Sequence, residues 1–199
     1  MVKISPGNRK MGSIPSVSLP AGLTCRKDCD CAKLCYAMRM ERYRKSVHKA
    51  YQSNYELLQS DPATYWREVE GTIMMSRYFR FHVSGDIPDN DYLVHMAQIA
   101  ARNPHCEILC FTKKYRIVNG FLRSGGMIPK NMHLILSAWR GTAMENPYSL
   151  PEAHVLYKDG STTAGPSPVP CGGNCTECAR TDGGCWSLRL GDQVVFHEH

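Results

Sequence analysis

A chain of 199 residues with 43% hydrophobic and 21% charged side chains can bury a sizeable core, so a single domain over residues 1–199 is expected. It has no apolar run of membrane-spanning length, and its start, MVKISPGNRK, lacks the apolar stretch of a secretory signal, so a cytoplasmic, membrane-free protein is expected. The formal charge of +6 does not by itself require nucleic acid, because two thiolate-held metal centres would each bring about −2.

Residues 1–24 are rich in Pro, Gly and Ser and predict an extended arm, with Ile14, Val17 and Leu19 able to lie on the body. The stretch Thr24–Tyr36, TCRKDCDCAKLCY, then brings Cys25, Cys29, Cys31 and Cys35, four of the ten cysteines. Thiols this dense in a reducing compartment point to a metal centre and not to disulfides. If all four bind, the centre is saturated and structural or electron-transferring. If Cys25, Cys31 and Cys35 bind, one position stays open for a small molecule and Cys29 is a bystander.

A helix is expected over residues 33–59, and this segment is strongly basic. Its cations form either a solvated face or a phosphate-contacting one, and Tyr36, Tyr43, Tyr51 and Tyr55 suit base stacking or core packing equally. Asp61-Pro62 predicts a capped helix to about Met75. In Tyr78–Ser84 the alternation sets Phe79, Phe81 and Val83 on an apolar face. Tyr78, Arg80, His82 and Ser84 take a polar face, and Gly85-Asp86 turns the chain out of the strand. Such a face is costly to bury unless it lines a wet or ligand-filled space.

Asp89 or Asp91 caps a further helix that ends before Asn103-Pro104. Residues 105–112 read as a strand covered on both faces, with Cys106 and Cys110 on one side as core residues. A helix at 115–124 closed by Gly125-Gly126, a strand over Met132–Trp139 and a weak strand over His154–Tyr157 follow. Strands alternating with helices predict an α/β fold of parallel β/α units, an open or partial barrel with cysteine-rich loops near both ends. Residues 25–158 are its core, and 159–199 form a C-terminal cysteine-rich segment entered through the loop 159–170. There Cys171, Cys175, Cys178 and Cys185 are spaced C-x3-C-x2-C-x6-C among glycines. This set suits zinc or an iron–sulfur cluster alike.

The segments SLPAGLTC (18–25), CAKLCYAMR (31–39), RFHVSGDI (80–87), FTKK (111–114), the Cys171–Cys185 group with Trp186, and the terminal VVFHEH resemble, in this order, the bacteriophage "gene product 88" family. A more distant likeness is to radical S-adenosylmethionine enzymes. Those place three cluster cysteines near an aromatic residue, as Cys25, Cys31, Cys35 and Tyr36 do, although no triple among Cys25, Cys29, Cys31 and Cys35 has their usual C-x3-C-x2-C spacing. They also carry a glycine-rich turn after an early strand, where Ser84-Gly85-Asp86 stands in this chain. The resemblance implies two [4Fe-4S] clusters, one on Cys25, Cys31 and Cys35 and one on Cys171, Cys175, Cys178 and Cys185. It also implies a site for S-adenosylmethionine near Tyr36, Ser84 and Gly85. Arg80, His82, Asp86 and Lys113 would then work on a small molecule or nucleotide, in the host cytoplasm. The alternatives are a zinc-stapled module that binds nucleic acid through residues 33–49, and a non-catalytic cluster protein that docks on a partner.

Overall fold

The apolar runs and capping signals above become the central elements of a computed structural model that describes residues 1–26 and 28–198. Lys27, one of the basic residues near the helical segment, and His199, the last residue of the terminal motif, lie outside the described residues. The strands are β1 Ser16–Val17, β2 Tyr78–Phe81, β3 Glu107–Thr112, β4 Met132–Ser137, β5 Glu152–Leu156, β6 Val169–Pro170 and β7 Gln193–His197. They form one sheet in the order β1-β2-β3-β4-β5-β7-β6, with every neighbouring pair parallel. The sheet does not close, so the architecture is an open α/β sheet.

The helices are α1 Tyr36–Tyr43, α2 Lys45–Ser60, α3 Pro62–Met74, α4 Asn90–Arg102, α5 Tyr115–Arg123 and α6 Cys175–Arg180. Asp61 and Asp89 cap α3 and α4 by accepting the backbone N–H groups of Thr64 and Tyr92, at 3.0 and 2.8 Å. Alternate residues of the middle strands then divide between two cores. Phe79, Phe81, Ile108, Cys110, Leu134 and Leu136 pack beneath the helices with Trp66, Val69, Leu93, Met96 and Val118. Leu109, Ile135, Ala153 and Val194 face the other way, against Met11, Ile14, Ala179 and Trp186. Cys106 and Cys110 are buried in the helix-side core, as expected.

Four differences from the sequence reading have local causes. The segment 33–59 is broken: a 3-10 turn spans Asp30–Leu34, Cys35 restarts the chain as the cap of α1, and Arg44, at φ −112° and ψ 88°, separates α1 from α2. The strand after Tyr78 stops at Phe81 because His82 takes φ 61°. That left-handed residue ends the alternation, and Val83 joins the core of Leu109 and Trp186 and not that of Phe79 and Phe81. The N-terminal arm is part of the sheet, since β1 pairs with β2 in the register Ser16–Arg80 and Val17–Phe81. Finally, the C-terminal tail supplies β7, which pairs with β5 and β6. Among the described residues no helix is long and apolar enough to cross a membrane.

Candidate functional site

The face of the sheet opposite the Trp66 and Leu93 core borders a cavity of about 630 Å³, which α1 and α6 also line. The carboxyl ends of β2, β3, β4, β5 and β7 open into it, the usual place for a ligand in an open α/β sheet. Cys25, Cys31, Cys35, Cys171, Cys175, Cys178 and Cys185 all line this one cavity. So do Tyr36, Arg80, His82, Ser84, Gly85, Asp86 and Lys113. The structure thus brings together every candidate site residue of the sequence reading. Cys29 is not among the lining residues. All ten cysteines are free thiols.

The N-terminal cysteines sit on the loop that leaves β1. Leu19 N–H donates to the Ser84 carbonyl at 3.1 Å, and the Thr24 hydroxyl accepts from Asp86 N–H at 3.0 Å, fixing this loop over the end of β2. Cys35 caps α1, its sulfur accepting from Met38 N–H at 3.5 Å. Cys29 is buried and does local work: its sulfur accepts from Cys31 N–H at 3.4 Å and from the Thr142 hydroxyl at 3.6 Å. A hydrogen bond between the Cys29 and Cys31 thiols pulls the first below the usual thiol range and pushes the second above it. Burial pushes Cys25 up, and the nearby Lys113 charge counters this.

The C-terminal cysteines are held by the arm. Cys175 N–H donates to the Lys10 carbonyl at 2.9 Å and the Thr176 hydroxyl to the Met11 carbonyl at 2.9 Å. Gly12, at φ 61°, makes this approach possible, because a Cβ there would stand 1.9 Å from the Thr176 hydroxyl. Trp186 closes the group, packing edge-on to Tyr78 with ring centroids 5.0 Å apart. Burial raises the thiols of Cys175 and Cys178 and pushes Cys185 up to about 12, while the Arg80 charge lowers Cys175 and Cys185 against that trend. Among the described residues no three His, Cys, Asp or Glu side chains converge tightly enough to grip a single ion.

Between the two groups lies the polar wall. Arg80 stacks its guanidinium over the Phe111 ring at 5.1 Å, and its buried Nε has no hydrogen-bond partner among the described residues. His82 is buried with both ring nitrogens unpartnered among the described residues, and burial followed by the Arg80 charge pulls its pKa down to about 3. It is therefore neutral at physiological pH. Tyr36 donates its hydroxyl to the Val83 carbonyl at 2.7 Å. Gly85, at φ 79°, is required by close approach: a Cβ would lie 2.6 Å from the Leu19 carbonyl oxygen.

Asp86 is fully engaged, accepting from the Thr112 hydroxyl at 2.6 Å, Ile87 N–H at 2.8 Å and Lys113 N–H at 2.9 Å. Its bonds make it a brace between the ends of β2 and β3. Burial nevertheless raises its pKa.

Two further groups escaped the sequence reading. Glu41 is buried and accepts from Ala21 N–H at 2.9 Å and the Ser84 hydroxyl at 2.7 Å. It is the only acid between Tyr36 and Tyr55, which was the available signal. His154 lines the cavity with both nitrogens partnered, by Thr163 at 2.9 Å and Glu152 at 2.9 Å.

Fold and site together define an open α/β protein with a cysteine-walled cavity at the carboxyl ends of its strands. The chain belongs to the Gene product 88 family, whose profile matches residues 3–186. It is similar to the Gene 88 protein of Mycobacterium phage L5, 28% identical over 121 residues, covering 54% of this chain and 51% of that one. It is also similar to the Gene 88 protein of Mycobacterium phage D29, 30% identical over 107 residues, covering 47% and 45%. The chain spans about half the length of the curated relatives it matches. No solved structure matches it.

Proposed function

We propose that this is an iron–sulfur protein carrying two [4Fe-4S] clusters and performing redox or radical chemistry on a small molecule or nucleotide. Cys25, Cys31 and Cys35 hold the first cluster; Cys171, Cys175, Cys178 and Cys185 hold the second. The observation that carries the reading is the meeting of both cysteine groups in one cavity with Arg80, His82 and Lys113. Two further features support it. The donors are thiols alone, a set that clusters take. The charge also suits clusters: among the described residues five cationic side chains line the cavity against the two carboxylates of Asp86 and Glu198, so anionic clusters would be compensated.

A cluster on three thiolates, once reduced by an external one-electron donor, would supply an iron with an open position at which S-adenosylmethionine or the substrate could bind and take up that electron. This chain's own residues do the remaining work. Arg80 presents an unspent N–H to an anionic group of the bound molecule. Neutral His82 can hold one hydrogen bond as donor and one as acceptor, at its two unpartnered nitrogens. Ser84 and Gly85 shape the backbone beside the first cysteine group, and Tyr36 covers it. Lys113 adds positive charge beside Cys25, Cys29 and Cys31. Asp86 positions the turn.

The test is anaerobic purification followed by iron and sulfide analysis and visible spectroscopy. About eight irons per chain with matching sulfide are expected, with a spectral change on adding S-adenosylmethionine. A colourless zinc protein overturns the reading. Iron without that spectral change removes the radical chemistry and leaves the clusters.

A further inference from the structure

The outer surface of α1 is built the wrong way round for a helix packed on a core. An amphipathic helix normally turns its apolar positions at i, i+3, i+4 and i+7 inward. Here Tyr36, Arg39, Met40 and Tyr43 occupy those positions and all four are exposed. The inward positions are taken by Ala37 and Glu41. Tyr43 is 76% exposed, a large ring with a polar tip left in water. The stripe is continuous with the cavity, since Tyr36, Arg39 and Met40 also line it while Tyr43 lies one turn farther out.

Charge surrounds this stripe on one side of zero. Arg39, Arg42, Arg44, Lys45 and Lys49 are exposed. None of these five forms an ion pair among the described residues. The only acid of the segment, Glu41, is turned inward onto Ala21 and Ser84. The acids of the preceding loop are already paired, Asp28 with Arg26 and Asp30 with Lys33. Five unpaired cations around exposed rings are a surface for a polyanion that also offers flat faces. Single-stranded nucleic acid has both properties, because its phosphates are spaced along a flexible backbone and its bases are free to stack.

We infer that α1 and the start of α2 dock single-stranded nucleic acid and lead one nucleotide across Met40 into the cavity. An acidic protein segment would use the cations but gain little from Tyr43. A duplex would use the cations but hide its base faces. This inference names the substrate class for the cavity, yet binding at α1 does not require the clusters.

The experiment is fluorescence anisotropy of a labelled single-stranded oligonucleotide with the anaerobically purified full chain, with iron measured on the same sample. Saturable binding that weakens steeply with salt is expected. Tyr43→Ala should weaken it about tenfold, the effect of one lost base stack. Arg42→Glu with Arg44→Glu should weaken it further and flatten the salt dependence. Both variants are at exposed positions and should keep wild-type iron content and melting temperature. The inference is overturned by the absence of binding at low salt. It is equally overturned by unchanged affinity in these variants, or by a duplex or polyglutamate competing as well as the single strand. A metal-free sample that still binds would separate this inference from the cluster proposal, and an iron-loaded sample that fails to bind would overturn this inference alone.

Discussion

The Thr112 hydroxyl donates to Asp86 Oδ1 at 2.6 Å, and through this bond the last residue of β3 holds the turn that follows β2. The carboxylate is buried and its remaining acceptors are spent on the backbone N–H groups of Ile87 and Lys113. Burial raises the pKa of Asp86 while the Thr112 bond lowers it, so the bond is strongest when the carboxylate is ionised. Thr112→Val keeps the side-chain shape and removes that donor. It should cost about 1–3 kcal/mol at neutral pH, read as a lowered urea midpoint. The cost should shrink near pH 4 (about the unperturbed carboxylate value), where Asp86 is increasingly protonated. A cost independent of pH would show that Asp86 is not ionised in the native cavity.

His82 also contributes stability that acid removes. Its folded pKa, about 3, lies below the ordinary 6.5, first because it is buried and second because Arg80 is close. As pH falls, the unfolded chain takes up this proton before the folded one does. The associated stability is therefore complete above 6.5 and declines as pH falls toward 3. His82→Asn tolerates the left-handed backbone at this position, φ 61°. The variant should lose stability less steeply than wild type across that window in denaturation curves taken at several pH values. An identical slope would mean that the imidazole is already charged or solvated.

The elements that were legible in the sequence share long apolar periodicity or a clear cap. β3 and β4 carry near-continuous apolar runs, and Asp61 and Asp89 mark the starts of α3 and α4. β1 and β6 span two residues each, too short for any period to register, and only their pairing defines them. The positive φ of His82 cannot be read from alternation, which continues on paper through Val83. The cysteines were legible as two groups, but their meeting in one cavity depends on the arm crossing to Cys175 and Thr176. That contact joins the two ends of the chain, and local patterning carries no information about it.

Gly184 tests the second cysteine group by itself. It sits at φ 58°, and a Cβ there would lie 2.6 Å from the Cys178 sulfur. Gly184→Ala must strain the backbone and push that sulfur aside, a cost of about 1–2 kcal/mol at a left-handed position. The contact joins α6 to the 3-10 turn Gly184–Trp186 and lies outside the sheet and α1 to α5. Iron content should therefore fall by about half, as expected for losing one of two similar clusters, with the far-ultraviolet circular dichroism unchanged. Full iron loading in this variant would remove Cys178 from the ligand set.

Cys29 and Cys35 give the sharpest division between ligand and scaffold, because both cap a helical turn but only Cys35 lines the cavity. A serine oxygen accepts backbone N–H groups well at a helix start. Cys29→Ser should thus keep its bonds from Cys31 N–H and the Thr142 hydroxyl, retain the iron of the wild type and leave the spectrum unchanged. Cys35→Ser preserves the cap of α1 equally well, yet it removes a thiolate from the cavity. It should release the first cluster, about four irons, without lowering the melting temperature of the metal-free protein. Equal iron loss in both variants would make the first centre a four-thiolate one with no open position, and the protein an electron carrier. Iron loss in neither would show that the N-terminal cysteines hold no cluster.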